Sequence, residues 1–271
     1  MFEHILKKYN SEVFVSDIVV AEVAFDNDLN SSRLVSEKGY NVRTLSDHRL
    51  GSVHSNIFDK KNIDAAATNS VVAGKYTKSL PKEFSFTDRK GSTPVSGTCD
   101  KKTSKNLEAR AISMAEDALA LAHEKNIHIT DGRARATFFK YLVQNSNGIE
   151  KEEQGTYVTA SMDAKAITDK PLAEVSMQFA ERAYDKKTYS DWLNEKMHMV
   201  SAFVEPKKIR TGKYDILLSP KVFGSLLLDT VGFWASGKAR LDGIGAFKEQ
   251  GERVASESFS ASVDGRLDSA M

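Results

Sequence analysis

Apolar positions are densest over residues 12–25, where Val13, Phe14, Val15, Ile18, Val19, Val20, Val23 and Phe25 are interrupted only by short polar steps. That run predicts a strand. Further on, GYNVRTL (39–45) and LGSVHS (50–55) flank Ser46-Asp47-His48-Arg49. Two short apolar runs around a polar turn predict a hairpin. Ile63, Ala66, Ala67 and Val71 then recur at helical spacing within 59–76, with Asp59 placed to cap the first turn. Residues 77–104 hold Pro81, Gly91, Pro94 and Gly97 and little periodicity, the pattern of a linker or long surface loop.

Leu107, Ala111, Met114, Ala118 and Leu121 step by four and three, so 105–124 reads as a helix with one buried stripe. Ser104 or Asn106 is its expected cap. Phe138, Phe139, Tyr141, Leu142 and Val143 lead into Asn145-Ser146-Asn147-Gly148, where Asn-Gly tolerates positive φ and the chain is expected to reverse. The return strand places Tyr157, Thr159 and Ser161 on one face and Val158, Ala160 and Met162 on the other. Residues 174–182 predict another strand. A helix follows from Ser190 through Leu193, Met197, Val200 and Val204, stopped by Pro206. A short strand, Tyr214 to Leu218, precedes a third helix capped by Ser219 with Pro220 at its first position. Val222, Phe223, Leu226, Leu227, Leu228, Val231, Phe233 and Trp234 surround that helix, so it is expected to be buried against this chain or another.

Composition narrows the function classes. Lys and Arg total 38 against 37 Asp and Glu in 271 residues, a net charge of +1 that gives no electrostatic case for nucleic-acid binding. One cysteine, Cys99, excludes an intrachain disulfide or a cysteine zinc cluster and suits a reducing compartment. No apolar run approaches the ~20 residues of a membrane span. The opening MFEHILKKYN lacks the apolar core of a signal peptide. The expectation is a cytoplasmic protein, with no nucleic-acid or membrane partner.

One motif resembles a metal site. His123-Glu124-Lys125-Asn126-Ile127-His128 reads His-Glu-x-x-x-His. Zinc peptidases need two imidazoles on the metal and a carboxylate beside the bound water. Helical pairs of this kind are spaced i, i+4, whereas five steps on a regular helix turn the second side chain roughly 140° away. His123 also falls in the last helical turn, while Ile127-His128-Ile129-Thr130 alternates like a strand before an Asp131-Gly132 turn. The bland reading is a surface histidine at a helix C-terminus and a strand histidine. There is no glycine-rich phosphate loop and no Gly-x-Ser-x-Gly elbow. Asp47 and His48 shape a turn, Cys99 has no nearby histidine to activate it, and Lys186-Lys187 and Lys207-Lys208 read as solvated faces.

Several separated stretches resemble the TldD/TldE (PmbA) family of metallopeptidase-related proteins. Gly39-Tyr40-Asn41-Val42-Arg43-Thr44-Leu45 with Arg49-Leu50-Gly51 is similar to its "G-x-x-V-R-x-L…R-x-G" hairpin. Val143-Gln144-Asn145-Ser146-Asn147-Gly148 resembles its "N-S-N-G" turn. Gly212-Lys213-Tyr214-Asp215-Ile216-Leu217-Leu218-Ser219-Pro220 resembles "G-x-Y-x-V-x-L-x-P", and Gly251-Glu252-Arg253-Val254-Ala255-Ser256 resembles "G-E-x-V-A-S". The resemblance implies a middle domain of helices and antiparallel sheet, a final β-rich domain, and dimers enclosing a peptide-cleaving chamber. In the catalytic branch a His-Glu-x-x-x-His zinc motif follows "L-x-P". Here that place reads Leu228-Asp229-Thr230-Val231-Gly232-Phe233, so Leu228 and Phe233 replace the histidines and Asp229 stands for the Glu. Leu and Phe have no lone pair for a metal. The family's last domain runs well past Met271, so this chain is expected to hold only its start.

The expected fold class is α+β, antiparallel sheets packed with long helices and ending in the start of a β-rich C-terminal domain. The expected division is an N-terminal sheet-and-helix domain (1–85), a linker (86–104), a middle domain (105–208) and the opening of the C-terminal domain (209–271). The first functional reading is a non-catalytic TldE-like subunit of a metallopeptidase complex in peptide processing. It has no cofactor of its own, with zinc in a catalytic TldD-like partner and an extended peptide as substrate; self-association is the other pairing. The alternatives are a self-sufficient metallopeptidase using His123, Glu124 and His128, or a non-enzymatic binding module of the same fold.

Overall fold

The computed structural model describes residues 1–88, 91, 95–168, 174–202, 208–245, 247, 249, 251 and 253–262. Its elements run α1 (Glu3–Lys8), β1 (Ser11–Phe25), β2 (Leu29–Ser46), β3 (Arg49–Ser55), α2 (Lys60–Gly74), α3 (Lys101–Lys105), α4 (Leu107–Glu124), β4 (Ile127–Asn145), β5 (Glu150–Ala166), β6 (Val175–Glu181), α5 (Lys186–Ala202), α6 (Pro220–Leu227) and α7 (Gly237–Asp242). A π turn over Leu228–Gly232 continues α6. Contacts divide the chain into one unit over Met1–Pro206 and a second over Lys207–Asp264. Among the described residues no helix is long and apolar enough to cross a membrane.

The first unit is one six-stranded sheet in the order β3-β2-β1-β4-β5-β6, antiparallel throughout. Odd residues of β1 face the helices: Val13, Ala21, Val23 and Phe25 are buried. The helix stripe read from the sequence is real, since Ala111, Met114, Ala115, Ala118 and Ala122 of α4 pack with Ala134, Ala136, Ala160 and Ala164 of the sheet. Alanine on both surfaces lets the helix lie close to the strands. A second cluster, with Phe2, Ile5, Tyr40, Val42 and Ile63, fixes α1 and α2. Tyr189 of α5 is fully buried and donates its hydroxyl to the Met114 carbonyl at 2.9 Å. Burial, with lesser help from Tyr184 and Asp117, pushes that phenol's pKa upward and keeps it a donor.

Local chemistry explains the turns. Asp47 (φ 51°) and His48 (φ 58°) form the two-residue connection between Ser46 and Arg49, the left-handed pair that matches strand twist. Asp59 caps α2 by accepting from the Asn62 N–H at 2.7 Å. At the β4–β5 reversal, Asn145 Oδ1 accepts from the Asn147 and Ile149 N–H groups at 3.0 and 3.1 Å, and Gly148 has φ 83°.

Five expectations need correction. The C-terminal region is helical, not β-rich: α5, α6, the π turn and α7 occupy it, and no strand follows β6 among the described residues. Tyr214 to Leu218 is extended chain without a partner strand. Ile216 is 78% and Leu217 99% exposed there, and an apolar run with no neighbour to pair with does not make a strand. Asp131-Gly132 is not a turn; β4 runs through it, with a register shift between Ile129 and Asp131. Gly132 is small because a Cβ there would stand 2.4 Å from the Phe25 ring. Asn106 stands at the N-cap position of α4 without a side-chain capping bond: its amide and the Ser104 hydroxyl donate back to the Lys102 and Lys101 carbonyls, and Asp100 caps the short α3. β2 also starts at Leu29, ten residues before the expected hairpin arm. The expected stop of α5 at Pro206 lies outside the described residues.

Two glycines test this packing. A Cβ on Gly51 would lie 1.7 Å from the Ser70 carbonyl oxygen and 2.5 Å from the Gly74 nitrogen, both backbone atoms of α2. Gly51→Ala is expected to push α2 off β3 and cost about 3 kcal/mol. Gly148→Val forces a β-branched residue into positive φ and is expected to cost about 1–3 kcal/mol. Urea denaturation checks both, and an unchanged midpoint in either contradicts the stated packing.

Candidate functional site

The second unit carries the positions that the family resemblance singles out. Ser219 caps α6 by accepting from the Val222 N–H, with Pro220 at the first helical position. The helix then widens. The Phe233 N–H bonds to the Leu228 carbonyl, a five-residue step, and Thr230 Oγ1 donates to the Leu226 carbonyl at 2.5 Å. On a regular α-helix the fifth residue is turned roughly 140° away. A five-residue hydrogen bond instead sets Phe233 beneath Leu228, and such π turns are frequent at functional sites. Leu228 is 73% and Phe233 46% exposed, and Asp229 is exposed beside them. The backbone thus brings together two positions at i, i+5 spacing, but the side chains there cannot ligate zinc, and Asp229 alone offers one oxygen ligand.

The other motif does not converge. α4 ends at Glu124, and Asn126 (φ 52°) swings the chain into β4. Ile127 and Ile129 point into the core under α4, so His128 between them points to the opposite face. His123 stays exposed at the helix end, with Nε2 3.4 Å from the Asn27 carbonyl, and Glu124 is exposed. Asp26 lies in the same β1–β2 turn. Hydrogen bonds from Asn30, Asp28 and Asn27 hold its carboxyl below the usual range, and the nearby His128 adds to this. Among the described residues no group of three or more His, Cys, Asp or Glu side chains is placed to hold a metal.

The most developed polar arrangement is one that sequence reasoning missed. On the sheet face away from the helices, Glu22 is only 7% exposed. Its carboxylate accepts from Arg135 of β4 and pairs with Arg33 of β2 at 2.7 Å. Ile18, Val20, Val35, Thr137 and Tyr157 complete a shallow depression of about 340 Å³ around them. Burial alone would raise the Glu22 pKa, but the hydrogen bonds and charges of Arg135 and Arg33 outweigh it and hold the carboxyl below its usual range. A carboxylate so held is no general base; it fixes two guanidiniums toward solvent. The available signal was a charge between Ala21 and Val23 in the apolar half of the strand, Ile18 to Phe25.

Comparison with known proteins places this geometry. The PmbA/TldA metallopeptidase C-terminal domain matches residues 211–271. An uncharacterized protein of Methanocaldococcus jannaschii is 25% identical, covering 99% of this chain and 63% of its own length. TldE from Thermococcus kodakarensis superposes with a TM-score of 0.63 at 14% identity, over 74% of this chain and 46% of that one. A protein from Bacteroides thetaiotaomicron described as a candidate modulator of DNA gyrase gives 0.71 at 19% identity, over 89% of this chain and 56% of that one. A similarly described protein from Thermotoga maritima gives 0.61 at 16%, over 78% and 49%. The chain is distantly related to the TldD/TldE (PmbA) proteins at the level of fold and C-terminal domain. It spans about half to two thirds of the length of these relatives.

The Glu22 cluster yields a pH-dependent prediction. Glu22→Gln is expected to destabilise the first unit by about 1–3 kcal/mol at neutral pH, the range for losing buried hydrogen bonds to a charged group. A lowered folded-state pKa contributes stability that is complete above the unfolded value of 4.5 and lost as pH falls through the lower folded-state value. The gap between wild type and Glu22→Gln should therefore hold constant above about pH 4.5 and narrow as pH falls from there through the lower folded-state value. A gap that is constant from neutral pH to acid denaturation contradicts the ion-paired carboxylate.

Proposed function

We propose that this chain is a non-catalytic, TldE-like subunit of a metallopeptidase complex that processes peptides. The reading rests on the sequence resemblance, which sets Leu228 and Phe233, at the start and just past the end of the π turn, where the family's motif has zinc-binding histidines. These places lie inside the stretch 211–271 that matches the PmbA/TldA C-terminal domain. A neutral imidazole donates a lone pair to zinc, and neither side chain here can. The zinc belongs, on this reading, to a catalytic TldD-like homologue, and this chain completes the chamber and helps hold an extended peptide. The single cysteine suits a reducing compartment, and the proposal places the complex in the cytoplasm.

A second feature supports a partner. Val222, Phe223, Leu226, Leu228 and Phe233 are all exposed, and among the described residues of this unit the buried hydrophobic one is Ala239. Large apolar side chains exposed in such number on one helix support an interaction site there. Trp234 is better covered, with its ring 6.0 Å from that of Phe247.

Two outcomes are expected. After dialysis the purified chain should retain no stoichiometric zinc and cleave no peptide. About one zinc per chain, lost in His123→Ala, contradicts the reading and favours the histidine motif. On co-expression, a zinc-bearing TldD-like homologue should co-purify with the chain. Burying a large apolar side chain contributes about 1.5–3 kcal/mol, so Leu226→Glu with Phe233→Glu should weaken that complex at least ~tenfold. Equal capture of the double variant excludes this surface as the contact.

A further inference from the structure

The outer edge of β2 is open over most of its length. β3 pairs with β2 only from Tyr40 onward, and among the described residues no strand lies on the side of Leu29 to Gly39 away from β1. The direction of the free backbone groups follows from the register. Leu45 donates its N–H to the Asn10 carbonyl at 2.9 Å, toward β1. The β1–β2 pairing then runs without a shift as far as Ala24 opposite Ser31. Odd residues of β2 therefore turn their backbone groups to β1, and Ser32, Leu34, Ser36 and Lys38 turn theirs outward. Such a row of unpaired donors and acceptors is a template for another strand.

The side chains specify which strand. Arg33, Val35 and Glu37 share the face that holds Glu22 and Arg135. Arg135 of β4, Glu22 of β1 and Arg33 of β2 form a row of alternating charge that ends at the open edge on a cation. Glu37, two places along the same face, is exposed and has no ion-pair partner among the described residues.

We propose that this edge pairs with the same edge of a second copy of the chain, antiparallel about a two-fold axis at Val35. That register sets Arg33 opposite the second copy's Glu37, and Glu37 opposite its Arg33. It extends the alternating row by one anion on each side. Leu34 then faces Ser36, and Ser32 faces Lys38, as hydrogen-bonded pairs whose groups already point outward. Arg33 and Glu37 meet in non-hydrogen-bonded positions, where side chains stand closest. Opposite charges directly across strands stabilise, and like charges destabilise. Centring the axis on Arg33 or Glu37 would oppose like charges. Centring it on Leu34 or Ser36 would leave Arg33 opposite Val35 or Gly39. The other edge strand, β6, carries Glu181 as its one charge and has no such self-complementarity. The inference is independent of the zinc reading, which concerns residues 211–271.

Cysteine cross-linking tests the register. The full-length chain is used with Cys99→Ser, to remove the native thiol, and Leu226→Glu with Phe233→Glu, to remove association through α6. Val35→Cys lies on the axis, at a spacing a disulfide accepts, and should give a covalent dimer under mild oxidation. Ser36→Cys faces Leu34 and should cross-link at least ~tenfold more slowly, while a mixture of Leu34→Cys and Ser36→Cys chains should cross-link to each other. Sedimentation across the micromolar range should show a dimer that Ser36→Pro abolishes. That proline deletes an outward N–H and leaves the β1 ladder intact, so the thermal midpoint should hold. Glu37→Arg should weaken the dimer ~tenfold by opposing two arginine pairs. A monomer at all concentrations, a dimer indifferent to Ser36→Pro, or equal cross-linking at positions 35 and 36 overturns the proposal. So does a chain that stays monomeric while an added extended peptide protects the β2 amides from exchange.

Discussion

β1 is hydrogen-bonded along both edges, and that double pairing is the constraint on which the first unit depends. A slip of one residue would carry every β1 side chain to the opposite face, moving Val13, Ala21, Val23 and Phe25 out of the core. With β2 and β4 locked to it, β1 decides which face receives the helices and which stays open. The core then follows from side-chain size. Alanines on α4 and on β4 and β5 allow close approach, and the larger Met114, Met177, Leu193 and Tyr189 fill the margins. The open face inherits the opposite set, and the buried carboxylate of Glu22 ties the three central strands together there.

The two units differ in how they are stabilised. The first has two apolar clusters and long ladders. The second has well-formed caps at Ser219 and Ser236, yet most of its large apolar side chains are exposed. Caps and backbone bonds define helices, but burial supplies most of the stability of a fold. The π turn adds to that contrast, because it is a departure from regular helix in a segment with little packing to hold it. Its five-residue bond links the Phe233 N–H to the Leu228 carbonyl, and neither side chain has metal chemistry.

Much of the first unit was legible because its signals are local. Asp59, Asn145 and Gly148, and the left-handed pair Asp47-His48, act within a few residues of themselves, and the α4 stripe repeats often enough to be seen. The errors arose where a distant residue decides the outcome. Gly132 reads as a turn until Phe25 is known to cover it. Leu29 to Lys38 gave no strand signal because its strand character comes from pairing with β1, not from its own side chains. Tyr214 to Leu218 has strand composition and no strand to join. The Glu22 cluster was invisible for the same reason, since its three members lie far apart along the chain. The resemblance in 212–220 located the π turn's segment, but periodicity alone gave no sign of the wider helical step.

Glu22 and Arg135 are separated by 113 residues. During synthesis β1, β2, β3 and α2 are complete long before β4 exists, and pairing at such separation slows folding. For that interval β1 is itself an edge strand of an unfinished sheet, apolar enough to attract the wrong neighbour. The carboxylate of Glu22, near the end of β1, opposes burial against a strand that does not bring a cation to the right place. Already paired with Arg33 of β2, Glu22 favours a further neighbour that brings a second cation, and Arg135 of β4 is that neighbour.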